Sequence, residues 1–83
     1  MHWIKDKVAI VTGGSSGIGQ GIAFEAASKG AHVVLADING EQGLETIETI
    51  RSEGGRASYF NTDVTSSSSI AKMVSEAGEL GDV

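Results

Sequence analysis

The chain has 83 residues, six Lys and Arg against eleven Asp and Glu, a net charge of -5, and neither cysteine nor proline. That length allows one small domain or part of a larger one, and a chain of this size buries only roughly 60–65% of the surface it exposes when unfolded. Without cysteine there is no disulfide or thiolate metal site, and His2 and His32 stand thirty residues apart with no ligand cluster near either. The scattered basic residues exclude a phosphate-tracking nucleic-acid surface and disfavour an anionic membrane. Apolar runs of four or five residues are far short of a membrane span, and Met1 to Lys7 has no signal-peptide core. A cytoplasmic protein is the simplest expectation.

Val8 to Val11 is a continuous β-prone run, as in a strand buried on both faces of a parallel sheet. The stretch Gly13 to Gly17 breaks it. Ile18, Ile22, Ala23 and Ala26 then recur at helical spacing, and Lys29-Gly30 supplies a cationic last turn with a glycine stop. Val33 to Ala36 is a second buried strand, closed by Asp37. Leu44, Ile47 and Ile50 mark one face of a second helix ended by Gly54-Gly55. Ala57 to Asn61 reads as a third strand. Ser66 caps a third helix whose inner face is Ile70, Met73, Val74 and Ala77, with Gly78 and Gly81 punctuating its end. Strands alternating with helices through short connections predict an α/β fold, a Rossmann-type doubly wound parallel sheet represented by its β-α-β-α-β-α part, with strand order 3-2-1.

The chemistry concentrates where the first strand meets the first helix. Gly13 permits a tight turn, Gly17 lets the backbone approach a pyrophosphate, and Gly19 lets the helix pack on the strand. The helix N-terminus presents unpaired N–H groups and the positive end of its dipole to an anion. Ser15 and Ser16 add hydroxyl donors. Eighteen residues after Gly19, Asp37 ends the second strand, where a carboxylate accepts hydrogen bonds from ribose hydroxyls. It would repel a 2′-phosphate, and Ser16 and Ile38 stand where an arginine could offset that repulsion. The pattern therefore predicts NAD as cofactor. A nucleotide-triphosphate loop needs Lys and Ser/Thr after its last glycine, whereas Gln20-Gly21 follows Gly19. An adenosyl-dependent methyltransferase would carry an acid before the glycines, where Val11-Thr12 stand.

The run Thr12-Gly13-x-x-x-Gly17-x-Gly19, with Gly30-Ala31-x-Val33-Val34 before the acid and Asp63-Val64-Thr65 after the third strand, resembles the short-chain dehydrogenase/reductase family from about Lys5 onward. The resemblance implies that Asp63 hydrogen-bonds the adenine amino group and Val64 lines the adenine pocket. It adds Ile18 and Ile38 to a cofactor-binding set of Gly13, Ser15, Ser16, Gly17, Gly19, Asp37, Asp63 and Val64. It implies a parent enzyme that moves hydride between nicotinamide and an alcohol or carbonyl substrate, as a homodimer or homotetramer. Gly21 departs from the family pattern where a small helix-forming residue is usual, and Ala26 where a larger apolar one is. The family's catalytic Ser and Tyr-x-x-x-Lys have no counterpart: the single tyrosine, Tyr59, is followed four residues later by Asp63. Residues 1–83 are thus expected to be the NAD-binding opening of such an enzyme, cut at the start of the fourth strand and inactive alone, with no catalytic residue assigned. The alternative is a stand-alone, non-catalytic dinucleotide-binding module.

Overall fold

Aliphatic and β-branched residues set the sheet, and the glycines set its turns. The computed structural model describes residues 5–13, 17–38, 40–63 and 65–81. In chain order these form β1 (Val8–Thr12), α1 (Gly17–Ser28), β2 (His32–Asp37), α2 (Gly40–Ser52), β3 (Arg56–Asn61) and α3 (Ser67–Gly78). The strands make one parallel sheet in the order β1-β2-β3. Its register places Val11 beside Leu35 and Leu35 beside Tyr59, and ends with Asp37 beside Asn61.

The central strand β2 carries the unbroken apolar run; among the described residues it is the strand with a neighbour on both edges and a helix layer on both faces. Val33 and Leu35 face α1 and α2, meeting Val11, Ala23, Ile47, Ile50 and Ala57. Val34 and Ala36 point the other way, towards Val8 and towards Met73 and Ala77 of α3. Val33, Val34 and Leu35 are fully buried, and each such side chain contributes about 1.5–3 kcal/mol of transfer free energy. The two buried threonines are hydrogen-bonded: Thr46 Oγ1 donates to the Gln42 carbonyl and accepts from Gln20 Nε2, and Thr62 Oγ1 donates to the Phe60 carbonyl.

Both predicted glycine stops are Schellman closures. Gly30 (φ +91°) donates to the Ala27 carbonyl while Ala31 donates to Ala26. Gly54 (φ +87°) and Gly55 repeat the pattern on Arg51 and Ile50. Ser66 caps α3, its hydroxyl accepting from the Ser69 N–H at 3.3 Å. That helix runs through Gly78 and closes at Glu79 in right-handed geometry.

The helix faces differ from the periodicity reading. On α1 the packed stripe is Ala23 with Phe24, Ala26 and Ala27, whereas Ile18 is 85% and Ile22 53% exposed. These isoleucines form an i,i+4 row beside the stripe, and the small alanines are what let α1 approach the strands. On α2 the buried stripe is Gly43, Thr46, Ile47 and Ile50, and Leu44 is 59% exposed. A tyrosine on β3 needs the glycine's empty space, and that rotates the helix away from Leu44. On α3, Met73 and Ala77 are buried, while Ile70 and Val74 remain substantially exposed.

Candidate functional site

Because all three strands are parallel, the segments following them emerge at one edge of the sheet. The first is the glycine turn. Gly13 adopts φ +65° and donates its N–H to the Ala36 carbonyl at 3.2 Å, so the turn is tied to the neighbouring strand. Gly17 opens α1 at φ +49°, a backbone region that L side chains rarely adopt. A Cβ at Gly13 or Gly17 would meet no described atom within 4 Å. Ile18 projects outward and Gly19 is half-buried in the first turn of the helix. The leading N–H groups of α1 lack intrahelical acceptors and carry the positive end of its dipole. Ser15 and Ser16, also assigned to this site from the sequence, lie outside the described residues, as does Val64.

One strand away, Asp37 is the last residue of β2 and is half-buried, with Ile38 exposed after it. Its backbone carbonyl accepts two hydrogen bonds, from the Tyr59 hydroxyl at 2.5 Å and from the Thr62 N–H at 3.1 Å. Burial first, and then the Asp37 carboxylate, push the Tyr59 hydroxyl above its ordinary pKa, so the phenol stays protonated and donates.

Asp63 follows β3 at the same edge. Its Oδ1 accepts from the Thr65 hydroxyl at 2.6 Å and the Thr65 N–H at 2.9 Å, and its own N–H donates to Ser69 Oγ. The Thr65 hydroxyl, then the Thr65 N–H, hold the carboxyl below its usual range, so it is ionised at neutral pH. Thr65 thereby orients Asp63 at the entrance to α3.

The fold therefore gathers Gly13, Gly17, Ile18, Gly19, Asp37, Ile38 and Asp63 along one edge. At about 4.8 Å per strand, the glycine turn, the first acid and the second acid span roughly 10 Å. Anion-binding N–H groups at one end and hydroxyl- or amine-accepting carboxylates at the other suit an elongated ligand with a phosphate and a ribonucleoside, lying outside the carboxyl ends of the strands. The backbone fits that role, since Gly13 and Gly17 hold positive φ values and no described atom lies within 4 Å of where a Cβ at either would stand. Two contributors escape a motif search. Tyr59 reads as a packing residue on a strand, yet its hydroxyl ties the carbonyl of the acid. Gly43 lies inside a helix with no motif around it; a glycine within an amphipathic stripe, sixteen residues before an aromatic strand position, was the available signal.

An α/β layout with a glycine turn, a helix N-terminus and a strand-end acid defines a dinucleotide-binding class of domain. Comparison with known proteins narrows it. The short chain dehydrogenase family model matches residues 7–83, and the chain belongs to that family. It is 42% identical over 70 residues to the uncharacterized oxidoreductase YxbG of Bacillus subtilis, covering 84% of this chain and 26% of that protein. Among solved structures, a Burkholderia phymatum short-chain dehydrogenase/reductase in complex with NAD superposes with a TM-score of 0.90 at 32% identity, covering 96% of this chain and 28% of that one. A metagenomic short-chain oxidoreductase in complex with NADP gives 0.84 at 36% identity, covering 88% and 33%. The chain thus spans about a quarter to a third of the proteins it matches. The family is one of oxidoreductases that use a nicotinamide dinucleotide.

Proposed function

We propose that residues 1–83 form the NAD-binding opening of a short-chain oxidoreductase, the first half of a doubly wound sheet in which a fourth strand would pair on the free side of β1, giving the order 3-2-1-4. Gly13, Ser15, Ser16, Gly17, Ile18 and Gly19 would hold the pyrophosphate against the N-terminus of α1. Asp37 would accept from the adenosine ribose hydroxyls beside Ile38, and Asp63 from the adenine amino group beside Val64. The bound nicotinamide supplies hydride exchange with an alcohol or carbonyl carbon of the substrate. The complete enzyme would work in the cytoplasm as a homo-oligomer.

The observation that carries the choice of NAD is the strand-end carboxylate of Asp37 followed by Ile38 rather than by an arginine. A 2′-phosphate about 4–5 Å from that carboxylate meets several kcal/mol of repulsion at an effective dielectric near 20, reduced by salt but still tenfold or more in affinity. The test is the pair of dissociation constants for NAD and NADP in the complete protein, before and after Asp37→Ala combined with Ile38→Arg. Preference for NAD should collapse or reverse in the double variant. Equal affinities in the starting protein would defeat the assignment. The 83 residues alone hold no Tyr-x-x-x-Lys pair, so they should show no change in reduced-nicotinamide absorbance with alcohols or ketones; reproducible turnover would overturn that part.

A further inference from the structure

We propose that Tyr59 is the positioning residue for Asp37, and through it a determinant of the choice between a free and a phosphorylated ribose 2′-hydroxyl. The inference rests on the cofactor reading above and adds to it a residue outside the glycine turn and its acid.

The sheet ladder ends at the pair Asp37 and Asn61, and Ile38 beyond it has no cross-strand partner. The peptide joining Asp37 to Ile38 is the last one the ladder holds, through the Thr62 N–H, and its orientation sets where the chain leaves the strand beside the acid. The carbonyl of that peptide is held by the Tyr59 hydroxyl at 2.5 Å and the Thr62 N–H at 3.1 Å. The Thr62 bond is main chain and survives any side-chain change. The Tyr59 bond is the one a substitution can remove.

The hydroxyl reaches this carbonyl because the ring is clamped. Tyr59 pairs with Leu35 on β2, two residues before Asp37, so its side chain leans along the sheet towards the strand end. The ring rests on the first turns of α2. A Cβ at Gly43 would stand 2.6 Å from Tyr59 Cδ1 and 3.3 Å from Cζ, and nearer still to Cε1. A Cβ at Gly40 would stand 3.7 Å from the hydroxyl oxygen. Two glycines thus make the seat, and the helix they belong to follows the acid by only a few residues. The phenol joins the strand end on one side of that short connection to the helix on the other.

Three variants of the complete protein test this: Tyr59→Phe, Gly43→Ala and Asp37→Ala, each with dissociation constants for NAD and NADP and a thermal transition. Tyr59→Phe keeps the ring and removes the donor. The ratio of NADP to NAD dissociation constants should fall by about threefold or more, the scale of one net hydrogen bond, with Tm lower by only a few degrees. Gly43→Ala keeps the hydroxyl but displaces the ring, and should lower the ratio in the same direction. A merely structural tyrosine would weaken both cofactors equally and leave the ratio where it was. An unchanged ratio in Tyr59→Phe, with a collapsed ratio in Asp37→Ala, overturns the role of Tyr59 and leaves the cofactor reading intact. An unchanged ratio in Asp37→Ala removes the cofactor reading and this inference with it.

Discussion

Two helix-interior glycines give the sharpest test of the packing. Gly21 and Gly43 both lie within helices, so replacing either by alanine gains about 1 kcal/mol of helix propensity. Their surroundings are opposite. A Cβ at Gly21 meets no described atom within 4 Å, whereas one at Gly43 would overlap the Tyr59 ring, 2.6 Å from Cδ1. The ring cannot swing away freely, because its hydroxyl is bonded to the Asp37 carbonyl. Forcing a methyl into such a contact costs about 1–3 kcal/mol, and part of the lost hydrogen bond adds to it. Gly21→Ala should therefore stabilise the chain by about 0.5–1 kcal/mol, and Gly43→Ala should destabilise it by about 1–2 kcal/mol net. At about 4–8 °C per kcal/mol for a domain of this size, the two melting temperatures should differ by about 6–24 °C. Thermal unfolding followed by far-UV circular dichroism, with both variants under one buffer, measures this. Equal melting temperatures, or a more stable Gly43→Ala, would refute the seating of Tyr59 on α2.

Gly17→Val combines a branched Cβ with a backbone at φ +49°, and should cost at least about tenfold in NAD affinity of the complete protein by strain and by obstruction of the phosphate; full-strength binding with unchanged circular dichroism would place the pyrophosphate elsewhere. Ser66→Ala removes the α3 cap hydroxyl that accepts from Ser69 and should lower stability by about 1 kcal/mol, with Ser66→Asp restoring it. Burial, then the charges of Arg56 and Arg51, hold His32 below its usual 6.5, where Nε2 lies 3.0 Å from Ser58 Oγ. Between 6.5 and the lower folded value the unfolded chain binds more protons than the folded one, so stability should fall as pH drops through that window. His32→Asn should flatten the slope of urea-unfolding free energy against pH there, and an unaltered slope would assign it to another group.

The sequence by itself determined the order of elements, the glycine turn after the first strand and the acid that ends the second. Those features are local: an apolar run long enough for a buried strand, glycines where φ turns positive at Gly13, Gly17, Gly30 and Gly54, and a hydroxyl cap at Ser66. Each is set by backbone sterics or by a hydrogen bond spanning a few residues, so neighbours in sequence suffice to predict it. The tertiary structure decided which helix faces are buried and what holds the acid. Periodicity counts apolar residues, and so it placed Ile22 and Leu44 inside. Ile47 and Ile50 are buried as the periodicity has it, but the rest of the packed faces is made of Phe24 and of alanines, Thr46 and Gly43, the small residues that let the helices approach the sheet closely. The bond from Tyr59 to the Asp37 carbonyl joins residues 22 apart in sequence. Only the parallel register of β2 and β3, and the hollow that Gly40 and Gly43 leave on α2, bring that hydroxyl to the end of the strand.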